Sequence, residues 1–147
     1  YDGAGYTKKW TSKIFNFGSS VIQKKFNYID IAGAMYSNTI FYVDIEVDGI
    51  VVTYQIDSSN LVQNSSGDYY GDSYYGDVGG GGEETDQFYR YAARMYLAPS
   101  ISQGRELKIT IRNQAAGQPW AVDHLQFDLE SLSDLMIPSA AQSVKTV

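Results

Sequence analysis

Phe41-Tyr-Val-Asp-Ile-Glu-Val-Asp-Gly-Ile-Val-Val-Thr-Tyr-Gln-Ile56 is the stretch that decides the fold of this chain. Phe41, Val43, Ile45 and Val47 alternate with Tyr42, Asp44, Glu46 and Asp48. A period of two sends one set of side chains to a core and the other to water, the pattern of a half-buried strand. Asp48-Gly49 interrupts the run with the residue pair that accepts positive φ in a type I′ turn. Ile50, Val52, Tyr54 and Ile56 then resume the alternation against Val51, Thr53 and Gln55. The stretch reads as a β-hairpin.

Working outward, Leu107, Ile109 and Ile111 interleave with Glu106, Lys108, Thr110 and Arg112 as a second strong strand, followed by a turn from Asn113 to Pro119. A strand centred on Leu125, Phe127 and Leu129 comes next, with Gln126 and Asp128 toward water. Lys13–Phe17 and Phe26–Ile31 read as shorter strands separated by a Gly18-Ser-Ser20 turn. Residues 87–97 set Tyr89, Tyr91, Ala93, Met95 and Leu97 against Phe88, Arg90, Ala92, Arg94 and Tyr96, which is strand-like, with a helix over Ala92–Leu97 as the alternative. About seven strands and no long amphipathic helix predict an all-β chain: an antiparallel β-sandwich of jelly-roll type. Residues 1–130 are read as one sandwich domain and 131–147 as a tail. The tail's Asp134-Leu-Met-Ile137 patch precedes Pro138, so it reads either as a frayed terminus or as an arm that docks on a neighbour.

The chain has 147 residues, of which 44% are apolar, enough for one core of ordinary composition. Tyr (13) outnumbers Phe (6) and Trp (2) together, which favours half-exposed strands and contact surfaces. Trp10 and Trp120 are expected in the core or at its rim. The absence of cysteine excludes disulfides and thiolate metal sites. No apolar run reaches the ~18 residues of a membrane span, and no signal-peptide pattern is present. A start at Tyr1 rather than Met suggests a processed product or a piece of a longer protein.

The net charge of −6 is unevenly spread: +4 over residues 1–25, −11 over 26–89 and +1 over 90–147. Central acidity of this kind argues against a free nucleic-acid binder. A positive start and a negative middle favour neighbour-to-neighbour assembly by charge complementarity. Within the acidic part lies Gly67-Asp-Tyr-Tyr-Gly-Asp-Ser-Tyr-Tyr-Gly-Asp-Val-Gly-Gly-Gly-Gly-Glu-Glu-Thr-Asp86, which repeats Tyr-Tyr-Gly-Asp at 69–72 and 74–77. It cannot supply a core and is read as a long Gly/Tyr-rich surface loop, 67–86, inserted in the sandwich. Tyr69, Tyr70, Asp72, Tyr74, Tyr75, Asp77, Glu83 and Glu84 are its candidate contact residues. Tyrosines give contact area at low entropic cost, and the acids would select a basic neighbour such as the lysine-rich start of another copy.

Candidate chemistry is sparse. His124 is the only histidine, and its parity with Gln126 and Asp128 points it outward. Its neighbour Asp123 would face the other way along a regular strand, so the two do not form an acid–base pair. No Gly-x-Ser-x-Gly nucleophile motif occurs. Asp68, Asp72, Asp77, Glu83, Glu84 and Asp86 offer oxygens to Ca²⁺, but their spacing matches no EF-hand. A glycine-rich loop also poorly supports the paired rigid carboxylates of a glycosidase. No cofactor is expected.

Trp10-Thr-Ser-Lys-Ile-Phe-Asn-Phe-Gly18, Lys25-Phe-Asn-Tyr-Ile-Asp-Ile31, the hairpin Phe41–Gln55, the insertion 67–82, Gly104-Arg-Glu-Leu-Lys-Ile-Thr-Ile-Arg-Asn-Gln-Ala-Ala-Gly117 and Leu125-Gln-Phe-Asp-Leu-Glu130 follow one another in a characteristic order. In that order, over residues 10–130, the chain resembles the β-sandwich domain of tail and neck structural proteins of tailed bacteriophages. The resemblance implies a non-enzymatic virion building block, located in the virion or extracellularly, whose partners are other copies of itself or neighbouring virion proteins. It carries over no catalytic residue. The chain departs from the pattern in the acidity of its insertion and in its tail after Glu130. The alternative expectation is a carbohydrate-binding module that stacks sugars on Tyr69, Tyr70, Tyr74 and Tyr75.

Overall fold

The structure is a computed structural model that describes residues 7–62 and 88–132. Eight strands follow in order: β1 (Lys9–Thr11), β2 (Lys24–Tyr36), β3 (Phe41–Val47), β4 (Ile50–Ile56), β5 (Phe88–Tyr96), β6 (Gln103–Gly104), β7 (Leu107–Asn113) and β8 (Trp120–Ser131). All pairings are antiparallel. One sheet runs β1-β7-β3-β4. In the other, β2 is central: β8 pairs along one side of it, and β6 (at Lys24 and Lys25) and β5 (from Tyr28 to Tyr36) both pair with it directly on the other.

The expected hairpin is present residue for residue, from Phe41↔Ile56 to Val47↔Ile50. Asp48 and Gly49 both take positive φ, 49° and 88°, as a type I′ turn requires. Phe41, Val43, Ile45 and Val47 are buried, and so are Leu107, Ile109 and Ile111 opposite them on β7. Facing them from the second sheet are Ile29, Ile31 and Met35 of β2, Tyr91 and Met95 of β5, and Trp120 of β8. The Phe41 ring joins the layers, stacking on Trp120 at 5.6 Å and meeting Tyr91 edge-on at 5.4 Å. The chain is thus an antiparallel β-sandwich, as its alternation predicts.

Several local expectations are corrected. Lys13–Phe17 is not a strand: only Phe15 makes an isolated bridge, to Leu107. Phe17 has φ 51°, which takes the backbone out of extended geometry. Phe15 and Phe17 instead pack with Phe26 and Phe127 as a plug of rings at one end of the sandwich. Residues 88–96 are strand, as read, and the helical alternative over Ala92–Leu97 does not occur. β2 is far longer than Phe26–Ile31, because an extra residue at Asn27 forms a bulge against β8 and shifts the inward set from Lys24 and Phe26 to Ile29, Ile31, Gly33 and Met35. As expected for the two tryptophans, Trp120 is core and Trp10 is rim, at 5% and 42% exposure.

Lys24 is 2% exposed, and its Nζ donates to the carbonyls of Ser19, Ile22 and Arg105 at 2.5, 2.9 and 2.9 Å. Burial pulls its ammonium below the ordinary lysine value, while Asp48 and Glu106 pull the other way. One of the five lysines in the basic start is therefore a structural clamp, not part of a contact face.

Candidate interaction surface

The contact residues expected from sequence, Tyr69, Tyr70, Asp72, Tyr74, Tyr75, Asp77, Glu83 and Glu84, lie outside the described residues. The positions at which that segment begins and ends are described. Leu61 bridges Tyr91, and the Val62 amide donates to the Arg90 carbonyl at 2.9 Å. Residues 62 and 88 therefore sit on the same edge of β5.

Beside that edge, the outer face of the second sheet carries a patterned surface. Antiparallel register sets Tyr28 opposite Tyr96, Asp30 opposite Arg94, Ala32 opposite Ala92 and Tyr36 opposite Phe88. At one end the rings of Tyr28 and Tyr96 meet edge-on at 6.0 Å, and at the other Tyr36 and Phe88 meet at 4.7 Å. The two ends are about 26 Å apart at the usual strand rise. Tyr96 and Phe88 are 68% and 47% exposed, although both are large and aromatic.

Between them the floor is built of alanines, so the side chains at its margin stand above it. Arg94 holds Asp30 through two parallel bonds of 2.8 and 2.9 Å, and its guanidinium lies 3.9 Å from the centre of the Tyr28 ring. The bonds from Arg94 keep the Asp30 carboxyl below its ordinary range, and the same pairing raises the guanidinium further. Bidentate, ring-stacked arginine is geometrically fixed, so this part of the surface is preorganised. Asp30, Ala32, Ala92, Arg94 and His124 line a shallow depression of about 350 Å³.

His124 is exposed, as expected. The expectation that Asp123 points the opposite way is corrected. Pairing with β2 shifts between Ala32↔His124 and Gly33↔Val122, so Asp123 is an extra residue in β8 and alternation fails there. Both side chains are exposed, and Asp123 forms an ion pair with Arg90 across β2. A second groove, of about 500 Å³, opens between β1 and β8 and is lined by Lys8, Trp10, Trp120 and Leu125 among others. Lys8 lies 4.4 Å over the Trp120 ring and donates to its carbonyl at 3.1 Å, so with Phe41 beneath, that ring is packed and unavailable for stacking on a ligand.

Among the described residues no three His, Asp or Glu side chains are grouped to hold a metal ion, and the acids considered for Ca²⁺ lie outside them. No described helix is long and apolar enough to cross a membrane. Compared with known proteins, the chain matches no family model, no curated protein and no solved structure.

The aromatic residues of this surface were hidden in the sequence by their spacing. Tyr28, Tyr36, Phe88 and Tyr96 are far apart along the chain, and only the β2–β5 register brings them into two pairs. The one available signal was aromatic residues on the polar side of each alternating run.

Proposed function

We propose that this chain is a non-enzymatic β-sandwich module of a multi-copy extracellular assembly, of the kind that builds the tails, necks and fibres of tailed bacteriophages, and that it acts through protein–protein contact. The observation that supports this most is the outer face of the second sheet. Two aromatic pairs, each with one exposed ring, flank an alanine floor and a locked Arg94–Asp30 pair. Exposed aromatic and arginine anchors on a rigid, nearly flat support are the composition of protein interfaces. The order of sequence segments points the same way. Sedimentation velocity and native mass spectrometry of the purified chain over a range of concentrations test it. Concentration-dependent oligomers are expected; a chain that stays monomeric at the highest concentration overturns the proposal.

A carbohydrate-binding role is the second reading, supported by the depression beside Tyr28. Tyrosine rings adjoin carboxylate, guanidinium and imidazole groups there, which suits stacking on a sugar face with hydrogen bonds to its hydroxyls. A glycan array with the wild type and a Tyr96→Ala variant decides it. Absence of binding by the wild type removes this role.

A further inference from the structure

The sandwich has five edge strands among the described residues, β1, β4, β5, β6 and β8, and four are guarded against pairing with another chain, β6 by being only two residues long. β1 is only three residues long and begins with a lysine. β8 is bulged at Asp123 and carries Asp123, Asp128 and Glu130. β5 is covered in part by Leu61 and Val62 and bears Arg90 and Arg94.

β4 has none of these protections. Ile50-Val-Val-Thr-Tyr-Gln-Ile56 contains no charge and no proline, and its register with β3 runs without a bulge. Because Val47 and Ile50 close the two-residue turn as a bonded pair, alternate residues of β4 turn their backbone groups to β3 and the others turn away. Those turned away are Val51, Thr53 and Gln55. Among the described residues their outward N–H and C=O groups have no backbone partner. Ile50 and Val51 are moreover 51% and 54% exposed.

The geometry points to β4 as a strand-pairing edge whose partner is β4 of a second copy of this chain, antiparallel about a two-fold axis at Thr53. This rests on the multi-copy reading above and adds to it a contact separate from the aromatic face of the second sheet. The choice of partner follows from self-complementarity. In the register centred on Thr53 all seven residues pair, Val51 with the second copy's Gln55 and Ile50 with its Ile56, and no charge meets a like charge. The acids at the two ends are already engaged: Asp48 accepts the Arg105 and Glu106 amides, and Asp57 accepts from Ser59 and Gln55. In a chain of net charge −6, an uncharged strand is the place where two copies approach at least electrostatic cost. Roughly six backbone hydrogen bonds join the copies, and the β1-β7-β3-β4 sheets merge into one continuous sheet. Such an edge contact is small, so the isolated pair is weak and gains strength from repetition in an assembly.

The chain contains no cysteine, so single cysteines can map the register. The two-fold sets residue 53 opposite its own copy at about 5.5 Å between Cα atoms, within disulfide reach, whereas residue 55 lies opposite 51. Under mild oxidation Thr53→Cys is expected to give covalent dimers at least tenfold faster than Gln55→Cys. A Val51→Lys, Gln55→Lys double variant should lose self-association in sedimentation, and mixing it with Val51→Glu, Gln55→Glu should restore a heterodimer. Association by the wild type should change little between low and high salt. If the wild type self-associates but Thr53→Cys shows no preference and the lysine variant associates normally, the β4 contact is wrong while the assembly reading stands. If the wild type never self-associates, both fail. Circular dichroism melts of each variant confirm that folding is retained, and only variants that melt as the wild type does are compared.

Discussion

The Tyr91 hydroxyl donates to the Ala121 carbonyl at 2.9 Å, reaching from β5 to β8 across the strand between them. It can do so because Gly33 lies in its path on β2. A Cβ built there would stand 1.9 Å from the Ala121 carbonyl oxygen and 2.9 Å from the Tyr91 hydroxyl oxygen. Burial pushes the Tyr91 hydroxyl well above the ordinary tyrosine value, so it stays a donor at any physiological pH.

Gly33→Ala should therefore be among the most damaging small substitutions in the sandwich. The obstacle is backbone, which cannot swing aside, and a loss of about 3 kcal/mol is expected. Tyr91→Phe removes only the bond and leaves the carbonyl unpaired, costing about 1–2 kcal/mol. Urea unfolding followed by circular dichroism ranks the two; equal losses would contradict the notch geometry.

Lys24 and Lys25 are neighbours with opposite roles. Lys24→Met strands three carbonyls that the ammonium now satisfies and should destabilise by about 2 kcal/mol. Lys25 is exposed, and Lys25→Met should change stability by no more than about 0.5 kcal/mol. Parallel denaturant melts measure both.

Stability should fall in acid. The Asp30, Asp44 and Asp57 carboxyls all sit below the ordinary 3.8 in the fold. For Asp30 the chief cause is the bond from Arg94, and for Asp57 the bonds from Ser59. At Asp44 burial works in the opposite direction and is outweighed by Arg112 and Thr53. Depressed carboxyls contribute stability that is present above the unfolded value and lost as pH falls through the folded one. The melting temperature should hold from neutral pH down to about 5 and drop below about 4. Asp44→Asn should cost about 1 kcal/mol at neutral pH, because Arg112 is partly exposed, and should flatten the acid limb.

Phe88→Ser combined with Tyr96→Ser removes one exposed ring from each end of the second sheet's outer face. Tyr96 is largely in water and Phe88 about half, so unfolding should shift by only about 0.5 kcal/mol for Tyr96 and about 1 kcal/mol for Phe88. Contact with an assembly partner, or with a glycan, should weaken at least tenfold. Unchanged binding by a folded double variant would move the contact elsewhere on the molecule.

The hairpin was readable to the residue because both of its strands bury one clean alternating face and its turn residues admit one geometry. β7 was readable for the same reason. β2 and β8 were only half readable. Bulges at Asn27 and Asp123 reverse the parity within each strand, and the small Ala32-Gly-Ala34 run resembles a turn until its packing under Tyr91 is seen. β1 and β6 carry no pattern of their own, being held by pairing with β7 and β2. The outer aromatic surface exists only through the register of strands distant in sequence, and the bareness of β4 becomes meaningful only once the other edges are known.

The amide of Val62 and the carbonyl of Arg90 form the hinge pin of a socket. Residue 62 is held against β5, the strand that residue 88 begins, by the sheet itself. Lengthening a connection between fixed points adds only about 0.6 kcal/mol for each doubling. Residues added between these two points are thus expected to cost the fold little in chain entropy. The same socket gives a protein engineer a place to graft foreign peptides.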